Sequence, residues 1–353
     1  MKCNRSVSIG VLLFGGLLIP FLSATEQTAD QPAATSDQQK HDHDKVVDSG
    51  IANPVLWRDP GEIAKLDLYY GQGSKDGQPL APFKFDTEDK SGSNPKFDVS
   101  DAHGTKWKVK LGDEARPEVV ASRLLWAMGY FVDDDYLVAS ADVDGLEIER
   151  RAKAAKDEHI TDARFERKPD GEDKVGIWRW KENPFTGKRE FNGLRVLMAV
   201  MNNWDLKDVN NAVYSDQKAN RAIFLTSDIG ATFGTNGLSW TKSRSKGNVE
   251  SFAGSKFITR KTDTEVDFAT PKAPTAVLIE SAGTAAISFE ERRAMEWIGR
   301  NIPIADARWM GSQLKQLSHQ QLVDAFRAGH FPEDQIEAYV KVVEGRIDEL
   351  AAL

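Results

Sequence analysis

The sequence predicts an α+β chain of two lobes, a β-rich front and a mainly helical back, with a cleft between them. Three observations predict it. Apolar and polar residues alternate between Leu80 and Gly112, one amphipathic helix pattern follows from Pro117, and from Leu194 onwards the apolar spacing is mostly helical.

The chain opens with Lys2 and Arg5, runs apolar from Val7 to Leu22, and reaches small residues at Ser23 and Ala24. A positive start, an apolar stretch and a small-residue cleavage site, in that order, predict a secretory signal peptide over residues 1–24. A membrane anchor is the competing reading. Gly10, Gly15, Gly16 and Pro20 interrupt a run already short of the ~20 apolar residues that a span needs. Cys3 precedes that run and is the only cysteine, so disulfides, a thiol nucleophile and cysteine-bound zinc are excluded from the mature chain. The expected address is periplasmic or secreted. Loss of Lys2 and Arg5 with the signal peptide takes the net charge from −8 to −10. Such an acidic chain is a poor partner for nucleic acid, whose binding rests on neutralising phosphates. No later segment is apolar enough over enough residues to span a bilayer.

Residues 25–52 are rich in Gln, Asp, Ala and Ser and predict a disordered linker, because they bury too little to offset ordering entropy. The run His41-Asp42-His43-Asp44 has metal-ligand chemistry, but reads first as a solvated tether. The β-rich lobe is expected over residues 53–183. In it Phe83 and Phe85, then Phe97 and Val99, then Trp107, Val109 and Leu111 alternate with polar residues, separated by the loop Ser91–Lys96 and a turn at Asp101–Gly104. Pro117 suits a helix's first turn, Val120, Leu124 and Met128 share a face, and Gly129 ends it. Further strands are predicted near Phe131–Val138 and Gly176–Trp180. The charged stretch 149–173 between them reads as an exposed excursion.

The helical lobe is expected over residues 184–353. Leu194, Leu197, Met198 and Met201 have the spacing of one helix face. Ser288-x-x-Glu291 and Ser318-x-x-Gln321 are capping-box patterns. Pro332 opens a last helix whose Ile336, Tyr339, Val340, Val343 and Ile347 line up.

The chemistry concentrates in Asp205-Leu206-Lys207-Asp208-Val209-Asn210, directly after the Leu194 helix, and in Asp228-Ile229-Gly230, at the end of the apolar strand Ala222–Leu225. Phosphoryl transfer needs a carboxylate at the acceptor hydroxyl, oxygen ligands for Mg²⁺ and a cation for the transferring phosphate. Asp205, the pair Asn210 and Asp228, and Lys207 supply these types in turn. Singly, each residue has a plainer reading: turn-forming Asp and Asn, a solvated lysine on a strand with Lys106 and Lys108, an acid at a helix start.

The ordered set resembles the protein-kinase superfamily. Asp205-Leu206-Lys207-x-x-Asn210 is similar to the catalytic loop D-L-K-x-x-N, and Asp228-Ile229-Gly230 to D-F-G. Val109–Glu118 resembles the strand-lysine region of phosphoinositide kinases, and Glu118 the first-turn helix acid of HipA-type and secretory-pathway kinases. The resemblance spans roughly residues 80–235 and implies a two-lobed protein-kinase-like fold binding Mg²⁺-ATP between the lobes. By position, Lys110 holds phosphates and pairs with Glu118. The loop with Gly92, Ser93 and Asn94 covers the phosphates, Asp205 orients or deprotonates the acceptor, and Asn210 and Asp228 hold the metal. Asn203 and Trp204 replace the usual His-Arg, Lys108 stands where an apolar residue lies over adenine, and no A-P-E motif follows Asp228. These departures bear on substrate class. They leave two other functions in view, an inactive kinase-fold binding module and a nucleotidyl transferase. The segment carrying Lys242, Arg244, Lys246, Lys256, Arg260 and Lys261 reads either as a receiver for an anionic acceptor or as a solvated loop. Trp240 within it is either a docking aromatic or a core anchor.

Overall fold

A computed structural model describes residues 45–48, 50–90, 94–150, 155–167, 173–235, 246–270 and 295–353. The signal peptide, most of the linker, Gly92, Ser93, the Ser288 capping pattern, Trp240, Lys242 and Arg244 lie outside them. The architecture is α+β.

The alternating front forms strands β2 (Phe83–Asp89), β3 (Lys96–Ser100) and β4 (Lys106–Lys110) as an antiparallel meander. Helix α1 (Ala115–Ala127) follows, with Pro117 in its first turn, and Gly129 ends the turn beyond it at φ +87°. A side chain at Gly129 would meet the Arg58 carbonyl at 2.1 Å, so only glycine fits there. Strand β5 (Asp135–Asp144) and strand β7 (His159–Arg167) then complete the sheet, with the short β6 (Ala155–Lys156) on its edge. Because β4 also pairs with β7, five strands close into a ring. Phe83, Phe97, Val99, Trp107, Val109, Ile160 and Phe165 fill its interior.

Two expectations are corrected here. The charged stretch 149–173 is no excursion: its residues 159–167 form β7, paired with β4, β5 and β6. Ile160, Ala163 and Phe165 are buried, while Arg164 and Glu166 face the other way. Density of charge concealed a strand in which only Ala163 and Phe165 keep the two-residue spacing, Ile160 lying three residues before Ala163. The other correction concerns the lobes. Strand β1 (Pro54–Val55) and strand β8 (Asp173–Gly176) do not join the ring. They flank β9 (Asn211–Asp216) and β10 (Arg221–Thr226) in a second sheet of order β1-β10-β9-β8, so the front's two ends belong with the back. The end of the expected linker also pairs: Val47 donates to the Ile177 carbonyl and Ile177 to that of Lys45, both at 2.9 Å.

The back is built on helix α2 (Arg189–Met201), buried along nearly its whole length. Around it lie the short α3 (Val249–Ala253), a third sheet of β11 (Ile258–Lys261), β12 (Glu265–Phe268) and β13 (Ile302–Pro303), and helices α4 (Ile304–Leu314), α5 (His319–Ala328) and α6 (Glu333–Ala351). The capping box at Ser318 forms as the sequence predicts, with Gln321 bonding back. From α6, buried Arg346 donates to the carbonyls of Ala199 and Val200 at 3.1 and 2.8 Å, closing the C-terminal turn of α2. Its guanidinium lies 4.3 Å from the Phe252 ring centroid, and burial lowers its pKa to about 10. That turn leads straight into the Asp205 loop. Among the described residues no helix is long and apolar enough to cross a membrane.

Candidate functional site

Lys110 ends β4 on the face opposite Trp107 and Val109, so its side chain leaves the ring interior and reaches towards α1. There it meets three carboxylates. Its Nζ lies 2.9 Å from Glu118 Oε2, 2.7 Å from Glu114 Oε2 and 2.6 Å from Asp228 Oδ1. Burial alone would lower the Lys110 pKa, but Glu118, Asp228 and Glu114 drive it well above the usual lysine range. Asp228 shows the converse: burial would raise it, yet Lys110 at bonding distance brings it down to about 2. Lys110 is 3% exposed and Glu118 1%, whereas the Asp228 side chain is 44% exposed. The lysine thus bridges a fixed carboxylate and an accessible one.

Glu118 is held from behind. Arg164 on β7 places Nη1 2.9 Å from Glu118 Oε1 and 3.3 Å from Asp135 Oδ1, and Nη2 2.6 Å from Glu166 Oε2. Burial raises the Glu118 carboxyl, and the two cations oppose that rise. On the same sheet face Lys108 stands directly across from Glu166, which raises the lysine's pKa against the effect of burial. The position expected to lie over a base is therefore charged. Asp133, just before β5, accepts a hydrogen bond from Ser227, and burial together with nearby Glu166 pushes it up to about 7.

The second half of the site is laced by backbone and amide contacts. Asn202 turns the chain out of α2 at φ +57°, a left-handed conformation that asparagine tolerates, and its amide nitrogen donates to the Gly234 carbonyl. Its amide oxygen accepts from the Trp204 indole at 2.7 Å. Asn203, where a kinase has His-Arg, accepts from the Asp205 N–H at 3.1 Å and donates to the Ile229 carbonyl at 3.4 Å. Asn210 donates to the Asp205 carbonyl at 2.8 Å, and Ser227 N–H donates to the Asn210 carbonyl at 3.0 Å. The loop carrying Asp205 and Asn210 is thereby fastened beside Asp228, itself at φ +48°. The Asp205 side chain is 39% exposed, with Lys207 Nζ 3.2 Å away. Gly230 is required by contact: a Cβ there would lie 2.6 Å from Glu114 Cβ and 2.8 Å from the Glu114 carbonyl.

The structure brings Lys110, Glu118 and Asp228 into direct contact and fastens Asp205, Lys207 and Asn210 to the Asp228 turn. Asn94 joins through Glu114, donating to Oε2 at 2.6 Å. Sequence reasoning missed Glu114, Arg164, Glu166 and Asp133. Glu114 sits four residues after Lys110, a spacing that hints at a pair once the strand-to-helix turn is known. The other three carry no local signal. The basic stretch does not assemble as one receiver among the described residues: Arg260 binds Asp267 at 2.6 Å and Lys246 binds Glu114 at 2.5 Å. Asp228 and Asn210 offer few oxygens, and among the described residues no group of three or more His, Cys, Asp or Glu is arranged to hold a metal unaided. That donor set suits Mg²⁺, which takes one or two protein carboxylates and completes its shell with phosphate and water.

No protein-family model matches the chain, and no curated protein is similar to it. Among solved structures, the Helicobacter pylori proinflammatory kinase CtkA is similar over 78% of this chain and 98% of that one, at 10% identity and a TM-score of 0.39. A likeness that slight carries no argument about fold or function.

Proposed function

We propose that this chain is an exported, kinase-like phosphotransferase that binds Mg²⁺-ATP beside Lys110 and passes phosphate to an acceptor hydroxyl. The observation that carries the reading is the buried Lys110 ammonium, shared between the anchored Glu118 carboxylate and the solvent-open Asp228 carboxylate. A cation so placed presents fixed positive charge to phosphate oxygens, while the carboxylate beside it remains reachable by a metal. The ring of strands with α1 would be the N-lobe, and the α2-centred back the C-lobe.

In this reading Lys110 and the Gly92-Ser93-Asn94 loop hold phosphates. Asp205, exposed at the mouth, takes the proton of the acceptor hydroxyl, and Lys207 beside it offsets charge on the transferring group. Asp228 and Asn210 would hold Mg²⁺, Asn210 with its amide nitrogen already bonded to the Asp205 carbonyl. When bound, the metal neutralises charge on the phosphates and polarises the group transferred. Export rests on residues 1–24, and the address in this reading is periplasmic or secreted.

Thermal unfolding of the exported protein with and without Mg²⁺-ATP, beside Asp228→Ala, tests the reading. A ligand at a hundred times its dissociation constant adds ~2.7 kcal/mol of stability, which is a visible shift. Wild type should shift only with metal and nucleotide together, and Asp228→Ala should not shift. Failure of both proteins to respond to any of several nucleotides sinks the proposal.

A second reading, a binding module without turnover, is favoured by Lys110 being occupied by three carboxylates and by the charged Lys108–Glu166 pair on the same face. Asp205→Ala separates the two. In an enzyme it removes turnover by roughly a hundredfold or more and leaves nucleotide affinity nearly intact. In a binding module it changes nothing. A nucleotidyl transferase would be recognised by the heavier adduct on its product.

A further inference from the structure

One carboxylate in the site is held by three donors from three separate segments. Glu114 Oε2 accepts from Lys110 Nζ at 2.7 Å and from Asn94 Nδ2 at 2.6 Å, and Oε1 accepts from Lys246 Nζ at 2.5 Å. Asn94 comes from the loop before β3, Lys110 from the end of β4, and Lys246 from the segment leading to α3. Glu114 precedes α1, but its side chain caps none of that helix's N–H groups. Lys110 has no need of it for neutrality, because Glu118 and Asp228 already face the ammonium. Asp228 in fact repels Glu114. Both ends of the outer contact stay near solvent, Glu114 at 11% exposure and Lys246 at 19%.

Two ammonium groups and an amide N–H aimed at one point make an anion cradle. Its present occupant is a monoanion with two oxygens. A phosphoryl group brings three strong acceptor oxygens and up to two charges, so it answers the same donors better. We propose that Asn94, Lys110 and Lys246 form a phosphate-binding site in which the Glu114 carboxylate is an internal occupant, displaced by the phosphoryl end of an incoming ligand. The inference rests on the kinase-like reading for what delivers the phosphate, and adds Lys246 and Glu114 to the site. Glu114 swings towards solvent as the ligand enters, and this competition lowers apparent affinity by the fraction of molecules in which the cradle is open. Lys246 carries the event outward. Its neighbour Gly247 donates to the Thr232 carbonyl at 2.9 Å and Asn248 to the Phe233 carbonyl at 2.8 Å, so phosphate on Lys246 pins the segment following Asp228.

Calorimetric titration with inorganic tripolyphosphate, without metal or nucleoside, tests this. Glu114→Gln should bind it about tenfold tighter than wild type, since the competitor loses its charge. In the Glu114→Gln background, Lys246→Met should then weaken binding about tenfold. Equal or weaker binding by Glu114→Gln overturns the proposal, as does indifference to Lys246→Met in that background, or failure of both wild type and Glu114→Gln to bind. Should Glu114→Gln not fold, Glu114→Asp replaces it. Its shortened carboxylate cannot span all three donors, so binding must still tighten, and no tightening sinks the idea. The outcomes separate from those of the kinase reading. Tightening by Glu114→Gln in a protein indifferent to Mg²⁺-ATP keeps the phosphate site and removes the kinase. An Asp228-dependent response to Mg²⁺-ATP with no effect of Glu114→Gln does the reverse.

Discussion

Around Tyr339 the chain packs carbon against carbon. Phe326 stacks on it at 5.0 Å between ring centroids, Phe331 meets it edge-on at 4.9 Å, and Phe252 and Phe233 lie at 6.2 and 6.5 Å. Around Arg164, which is nearly as buried, both terminal guanidinium nitrogens meet carboxylate oxygens, through Glu118, Asp135 and Glu166. The aromatic cluster gains stability from area removed from water, a term that is non-directional and tolerant of repacking. The ionic cluster gains little over an apolar substitute, because desolvating its charges offsets most of their attraction. What it supplies is position. Glu118 cannot leave Lys110 without abandoning Arg164 as well, so the Lys110 ammonium is fixed by a group that is itself fixed. The Tyr339 cluster therefore contributes stability, and the Arg164 cluster contributes geometry.

That contrast is tested most severely by removing one member from each cluster. Arg164→Leu takes the ion-pair partner from buried Asp135 and one of two cations from Glu118 and from Glu166, and should cost about 3–5 kcal/mol, the price of leaving charge unpaired. Phe326→Leu, at equal burial, should cost only about 1–2 kcal/mol because the aromatic neighbours close in. Urea unfolding of both variants gives the comparison, and equal losses would erase the distinction drawn here. A smaller effect sharpens the picture of the ring. Asp133, pushed up to about 7 by burial and by Glu166, keeps a proton in the folded protein that the unfolded chain releases near its ordinary value of 3.8. Folded protein then binds more protons than unfolded protein between those values, so this group's contribution declines as pH rises from about 4 to about 7 and is level above. Asp228, depressed to about 2, behaves oppositely: its contribution is complete above its ordinary value of 3.8 and is lost as pH falls towards 2. Asp133→Asn should lessen the decline in urea midpoint between about pH 4 and 7 while keeping the acid loss. An unchanged slope would assign the decline to another group.

Much of the frame was legible because its causes are local. Alternation placed β2, β3 and β4 with their inward faces correct, since a side chain's face on a strand is decided by its neighbours in sequence. The Ser318 capping box and the stop at Gly129 were legible for the same reason. The pairing of Lys110 with Glu118 was legible only through the resemblance to kinases; the single turn between strand and helix is what lets the two side chains meet. Other features had no local cause. Strand β7 was read as solvent-exposed because Arg164 and Glu166 look like surface residues, and they bury only where Glu118, Asp135 and Lys108 are brought to them. Strands β1 and β8 left the front for the second sheet because their hydrogen-bond partners lie far along the chain. The meeting of Glu114 with Lys246 is of the same kind. Sequence by itself determined which residues turn inward and where helices begin and end, through sterics and capping within a few residues. Tertiary structure alone decided which charges are buried, because a charge leaves water only when distant segments bring it a partner.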